Sequence, residues 1–148
     1  MNDAPQEWRR DDLLVTTDRA KIDLAQVLAL LHSTWWGEKM TPESTALAVS
    51  ESLTFAMIEG DRLIGLSRVV TDRSTYGYIT DVVIAEDRRR AGLGRWLMEC
   101  VLEHRDLQSL RRLSLLTSSA PWLYEKLGFT PGAGRSAYFE RKGAGFAR

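Results

Sequence analysis

Arg88, Arg89, Arg90 and Arg95 lie within eight consecutive residues that also hold Gly92 and Gly94. Residue types of this kind, this close together, speak for an anion. Glycines where a helix opens let the backbone approach a ligand and leave the first helical N–H groups unpaired, while the helix dipole adds partial positive charge. Guanidinium groups add charge-assisted hydrogen bonds matched to phosphate oxygens. The combination suits a pyrophosphate. Not every arginine need touch it: Arg88 also reads as plain surface charge, and Arg90 as a residue serving through its backbone. The pattern is not the dinucleotide fingerprint, because Gly92-Leu93-Gly94 is followed by no third glycine at the required spacing and the strand before it belongs to an antiparallel run. It is not a Walker loop either, since no Gly-Lys-Ser/Thr occurs.

Other reactive side chains read as structural. His32 and His104 are too few and too far apart in sequence for a metal site, so no metal is expected. Cys100 falls on the apolar stripe of a helix, which favours packing over an acyl-cysteine. Trp35 and Trp36 fit either a core or an aromatic wall for a substrate.

The elements that must position the arginine loop are legible around it. Asp81-Val82-Val83-Ile84 leads in as a strand, and Leu93, Trp96, Leu97, Cys100, Val101 and His104 recur at helical spacing, predicting a helix over about 92–105 with one buried stripe. Upstream, short β-branched and apolar runs separated by turn residues predict three antiparallel strands at about 53–59, 62–71 and 76–85. A short apolar run, Leu13 to Thr16, comes first. Asp23 with Gln26 forms a capping-box pattern ahead of one helix, and Thr41-Pro42-Glu43 opens a second. Leu113 to Thr117 predicts a further strand, Ser118 or Ser119 a cap for a helix running through Lys126, and Gly128 its stop. A last strand is expected at 136–141. The order β, α, α, three antiparallel strands, α, β, α, β is a mixed α/β (α+β) sheet with helices on it.

The whole chain bounds what this assembly can do. Its 148 residues suit one domain, read as 1–148, with 1–12 a polar flexible tail lacking the apolar run of a secretory signal. One cysteine leaves no internal disulfide framework. No apolar run approaches the ~20 residues of a spanning helix, so no membrane association is expected and a cytoplasmic setting is. Lys plus Arg and Asp plus Glu both number 20, and zero net charge removes the global attraction that nucleic-acid binding uses. Sixteen of the cations are arginines. Four of those stand in the one loop, so a compact anion site survives the neutral total.

Arg89-Arg90-Ala91-Gly92-Leu93-Gly94 resembles the Arg/Gln-x-x-Gly-x-Gly/Ala signature of the GNAT superfamily of acyl-CoA-dependent N-acetyltransferases. The likeness extends to Asp81–Ile84, similar to that family's fourth strand, and to Leu123-Tyr124-Glu125-Lys126-Leu127-Gly128-Phe129, similar to its second hallmark. Two spaced motifs in the right context are far more specific than either alone. One departure is Thr117, which stands where members often carry Asn.

The resemblance implies a mostly antiparallel sheet splayed between its fourth and fifth strands, with acetyl-CoA as co-substrate held in the V. The pantetheine would pair with backbone at Val82, Val83 and Ile84. The pyrophosphate would lie on Arg89, Arg90, Ala91, Gly92, Leu93, Gly94 and Arg95, and at Thr117 either the hydroxyl replaces the Asn amide or that cofactor contact is absent. Tyr124 would protonate the leaving thiolate. An alkylammonium acceptor has a pKa of roughly 10 and must lose a proton, so a base or water chain is required. Asp81 is the first candidate, with Tyr78, Asp72, Glu38 and His32 behind it; strand alternation sets Asp81 and Tyr78 on opposite faces unless a bulge intervenes. Trp35, Trp36 and Tyr78 are candidates to line the acceptor site. The expectation is transfer to a primary amine of a small molecule, with a peptide or protein amine, a non-catalytic acyl-CoA-binding module and a nucleic-acid binder as rivals. A homodimer through Tyr138-Phe139 is open.

Overall fold

The structure is a computed structural model describing residues 4–132 and 137–145. Two strands come first, β1 (Glu7–Arg10) and β2 (Leu13–Thr16), joined by a turn in which Asp11 takes a positive φ of 52°. β1 corrects the expectation of a loose tail. Its residues are mostly exposed, but Trp8 packs its ring 6.1 Å from Phe55 and 6.4 Å from His104 and donates its indole N–H to Glu103. One aromatic anchor and a ladder to β2 therefore order a segment that is otherwise polar.

Helix α1 (Leu24–His32) starts at Asp23, whose carboxylate accepts from the backbone N–H groups of Ala25 and Gln26. The Gln26 side chain does not close a capping box on the backbone. It donates to Asp61 O and accepts from Leu63 N, tying the helix to the next hairpin. Helix α2 (Pro42–Ser50) carries the capping box instead, with Thr41 and Ser44 bonding each other's backbone.

Strands β3 (Leu53–Glu59), β4 (Arg62–Thr71) and β5 (Tyr76–Ile84) are antiparallel neighbours, as the alternation predicts. Helix α3 (Leu93–Glu103) follows, and Leu93, Trp96, Leu97, Cys100 and Val101 are all buried with its C-cap His104. Burial pushes the Cys100 thiol up to about 12, which leaves it inert. Strand β6 (Arg112–Leu115) then returns parallel to β5, completing a six-stranded sheet in the order β1-β2-β3-β4-β5-β6. Because β1 precedes the strands expected from sequence, the expected fourth and fifth strands are β5 and β6. On β4, Arg68 reaches toward α2 while Ser67 lies opposite Phe55, which packs on His104, so α1 and α2 cover one face and α3 the other.

Helix α4 (Pro121–Lys126) is shorter than expected and begins at Ala120 without a side-chain cap. Neither Ser118 nor Ser119 caps it; Thr117 does part of that work, its hydroxyl oxygen accepting from Ala120 N at 3.1 Å. Gly128, at φ 93°, ends it as expected. Of the strand expected at 136–141, residue 136 lies outside the described residues and 137–141 form no strand; Tyr138 and Phe139 are exposed. No helix among the described residues is long and apolar enough to cross a membrane.

Candidate active site

The β5–β6 ladder runs from Tyr76–Arg112 to Ile79–Leu115 and stops there, whereas β5 continues along β4 to the Gly65–Ile84 pair. From Thr80 onward the edge of β5 facing β6 therefore has no strand beside it among the described residues. The cause is visible in the β4 register. Arg68 opposes Thr80 and Leu66 opposes Val83, so β5 spends two residues, Asp81 and Val82, against one of β4. Asp81 sits in the bulge at φ 54°, a left-handed conformation that Asp tolerates better than most residues. The bulge resolves the alternation problem by redirecting Asp81.

Val83 is buried, and Val82 and Ile84 are half-buried along the open edge. The Ile84 carbonyl accepts from Arg89 Nε at 3.0 Å, which turns that guanidinium back along the strand. The chain then passes through Arg90, at φ 69°, and Gly92, at φ 72°, into α3, where Gly92 is the N-cap and no side chain caps the helix. The first N–H groups of α3 are thus left for an incoming acceptor. A side chain at Gly92 would meet no atom within 4 Å, so the space above it is open.

The four arginines of the loop divide. Arg88 pairs with Glu59 at 2.8 Å, and Arg89 is held by Ile84. Arg90 and Arg95 are exposed and have no hydrogen bond or ion pair among the described residues. The acidic neighbour Asp87 does not cancel them, because Arg62 clamps both its oxygens at 2.7 and 2.6 Å and that guanidinium holds its carboxyl below the usual range. Two exposed cations beside uncapped N–H groups are an arrangement that can receive an anion.

Beyond the loop, Tyr124 is 8% exposed on α4, its ring edge-on to Phe129 at 5.8 Å. Its hydroxyl has no hydrogen-bond partner among the described residues, and burial raises its pKa above the ordinary tyrosine value. Thr117 is exposed at the entrance to α4, with its hydroxyl hydrogen still available.

The acceptor-side residues come together around Asp81. Trp36 donates its indole N–H to Asp81 Oδ1 at 3.0 Å, and Trp35 stands edge-on to Trp36 at 5.7 Å. Tyr78 is half-buried; burial raises its pKa first, with the nearby negative charge of Asp81 contributing. Asp81 Oδ2 accepts from Arg68 Nε at 2.7 Å. Of the weaker base candidates, Asp72 ties its own turn through Ser74 N, Thr75 and Tyr76 N, His32 Nε2 donates to Met40 O at 2.8 Å, and Glu38 is exposed. Arg68 is the site residue that sequence reasoning missed. Its signal was a cation inside the apolar run Leu66-Ser67-Arg68-Val69-Val70, which must find a partner when buried. No cluster of His, Cys, Asp and Glu that could hold a metal occurs among the described residues.

Comparison with known proteins gives a consistent result. Residues 50–131 match a family model described as an acetyltransferase (GNAT) domain. A Gibberella zeae protein, provisionally named as an acetyltransferase, is 32% identical over 143 residues, covering 82% of this chain and 81% of the relative. A crystal structure from Xanthomonas campestris pv. campestris, of a protein provisionally assigned as a GNAT-family acetyltransferase, is 34% identical with a TM-score of 0.82, covering 90% of this chain and 94% of that one. A Staphylococcus aureus protein of unknown function, provisionally an acetyltransferase, is 26% identical with a TM-score of 0.72, covering 88% and 98%.

Proposed function

This chain belongs to the GNAT acetyltransferase family, and we propose that it transfers the acetyl group of acetyl-CoA to a primary amine of a small molecule by direct attack. The observation that carries this reading is the release of β5 from β6 after Ile79, directly beside a helix start with two arginines unpartnered among the described residues. An extended, amide-bearing arm can pair with the open edge at Val82 to Ile84 as an added strand would. Its pyrophosphate then reaches the N–H groups from Arg89 to Arg95, with the Arg90 and Arg95 guanidiniums as counter-charges. The Thr117 hydroxyl donates where family members use an amide.

Acetyl-CoA supplies a thioester whose carbonyl carbon takes the amine and whose sulfur leaves as a thiolate. A backbone N–H of the open β5 edge stabilises the charge that develops on the carbonyl oxygen. Tyr124 gives its proton to the sulfur; a phenol whose pKa lies above its ordinary value stays protonated through the neutral range and is ready to donate. The acceptor loses its proton on the open side of the sheet. Asp81 already accepts one hydrogen bond on each oxygen, from Trp36 and from Arg68, so the acceptor's proton competes with those donors for the carboxylate. The setting we propose is cytoplasmic, where acetyl-CoA is supplied.

A panel of primary amines with detection of released CoA thiol tests the reading. At least one amine is expected to give turnover. Acetyl-CoA binding without thiol release from any amine or peptide would instead identify a CoA-binding module. Tyr124→Phe should lower kcat about 100-fold, within the range for loss of a general acid, and leave the acetyl-CoA Kd unchanged by calorimetry.

A further inference from the structure

We propose that Arg68, Asp81 and Trp36 form a latch that holds the loop between α1 and α2 against the open end of β5, so that Asp81 is a positioning residue for the acceptor and not the base. The proposal rests on the reading of the β5–β6 opening as the acyl-transfer site.

Three segments far apart in sequence meet at one carboxylate. Asp81 gives Oδ2 to Arg68 Nε at 2.7 Å and Oδ1 to Trp36 Nε1 at 3.0 Å, so each oxygen already holds a donor. Arg68 continues the chain through Nη1 to Ser52 Oγ at 3.1 Å, at the junction of α2 and β3. The ion pair is largely buried, with side-chain exposures of 14% and 10%. Desolvating two charges is costly, and here the carboxylate takes one donor on each oxygen while the guanidinium also donates through Nη1 to Ser52 Oγ and Ala48 O. Asp81 also occupies a left-handed bulge position, so its backbone is committed to aiming the carboxylate at these partners.

The loop at the other end of the latch is already folded on itself. Thr34, buried, donates to Leu31 O and accepts from Gly37 N, and His32 closes the loop onto Met40 O. Trp36 remains 38% exposed with Trp35 edge-on beside it. An exposed indole held by its N–H to a buried carboxylate presents a ring of fixed orientation rather than a mobile one. Because Arg68 cancels the charge of Asp81, what the latch presents at the acceptor entrance is aromatic surface. The acceptor class that fits is an amine on an apolar or aromatic body, of which phenethylamine is a simple probe.

The test has an arm independent of catalysis. In a proton–nitrogen correlation spectrum of the full chain, Trp36→Phe identifies the Trp36 indole resonance by its loss. Asp81→Asn, which keeps an oxygen acceptor but removes the charge, should shift that resonance and the amides of residues 33–41; unmoved signals overturn the latch whatever the activity. Asp81→Ala strands Arg68 and risks misfolding, so Trp36→Phe, at an exposed site, carries the kinetic arm. It should raise the KM for phenethylamine about fivefold while kcat and the acetyl-CoA Kd stay within twofold. Asp81→Asn should keep kcat within about threefold. A 100-fold loss of kcat in Asp81→Asn, with the indole bond retained, would make Asp81 the base and overturn the assignment. Wild type that turns over other amines but not phenethylamine would overturn the acceptor class. Wild type that turns over no amine defeats the acetyltransferase reading and leaves the spectroscopic arm to decide the latch.

Discussion

The two ends of β5 use the same residue types to opposite purposes. At its first end, where β6 is paired, polar groups are consumed by one another: Arg73 pairs with Asp106, Tyr76 bonds Ser114, Asp72 ties its turn, and buried His104 accepts from Asp106 N. At its last end, where β6 has departed, Arg90 and Arg95 stand without partners among the described residues and α3 begins without a cap. A cleft of about 440 Å³ does lie at the paired end, lined by Arg19, Arg73, His104 and Arg105, so neither a hollow nor a cation count separates the ends. Exposed guanidiniums without a partner among the described residues stand at both ends, Arg19 and Arg112 at the paired one, so what separates the ends is the uncapped start of α3 beside Arg90 and Arg95. Guanidiniums that hold the fold are paired to carboxylates, and those left free beside unsatisfied backbone are available to a ligand.

The largest effect expected from this contrast is at the paired end and concerns stability. Burial pushes the His104 pKa from 6.5 down to about 4 against the opposing pull of the Asp106 carboxylate, with Arg105 and Arg73 adding smaller downward contributions. Between those values the unfolded chain binds a proton that the native state refuses, so stability is present above about pH 6.5 and is lost as pH falls toward 4. From pH 7 to pH 5 the loss is about 2 kcal/mol. The shifted carboxylates, Glu7, Asp23, Asp72 and Asp87, all move downward and lose their contributions at lower pH, which leaves this window to His104. Urea unfolding at pH 7 and pH 5 measures the slope. His104→Asn, whose amide oxygen can accept from Asp106 N, should be less stable at pH 7 yet nearly flat between the two. An unchanged slope would remove His104 as the sensor.

What could be read in advance follows the range of the forces involved. Local signals survived: the α3 stripe from Leu93 to Val101, the Thr41-Pro42 start and the glycine-arginine loop each depend on neighbours within a turn or two. Long-range pairings did not. β1 was hidden because its order comes from β2 and from Trp8 meeting Phe55, a residue on another strand. The Asp81 bulge was hidden because alternation assumes a regular ladder, and one extra residue in β5 is decided by its pairing with β4. Arg68 and Trp36 reach Asp81 across 13 and 45 residues. The glycines and arginines of the loop could therefore be picked out from sequence as candidates for an anion site, whereas the surroundings of Asp81 needed three dimensions.

Gly92 sharpens the contrast at the open end with a smaller effect. Gly92→Val forces a β-branched side chain to φ 72° and fills space that is open in the protein. Gly60→Val is the control, because Gly60 has φ 62° and equally open surroundings at the β3–β4 turn, away from β6. Both should cost similar stability from backbone strain, on the order of 1–2 kcal/mol. Only Gly92→Val should weaken acetyl-CoA binding, about tenfold by calorimetry. Equal affinities for the two variants would move the pyrophosphate away from this loop.

The smallest effect is the most discriminating, because it compares two arginines seven residues apart in the same loop and helix start. Arg88 is paired with Glu59 and partly exposed, so Arg88→Ala removes a surface ion pair and its packing, lowering stability by at most about 1 kcal/mol. Its guanidinium already has an anion, and the acetyl-CoA Kd should stay within twofold. Arg95 is exposed and unpartnered among the described residues, so Arg95→Ala removes nothing the fold uses and Tm should not move. A charge-assisted contact to phosphate, weakened by exposure to water, is worth about 1 kcal/mol, so acetyl-CoA affinity should fall about fivefold. Part of that loss should disappear at high salt, where screening shrinks what the free cation contributes. Calorimetry at low and high salt with thermal melts of both variants separates the roles. An Arg88→Ala that loses affinity while Arg95→Ala loses Tm would invert the division between paired and free arginines, and with it the placement of the anion at the open end of β5.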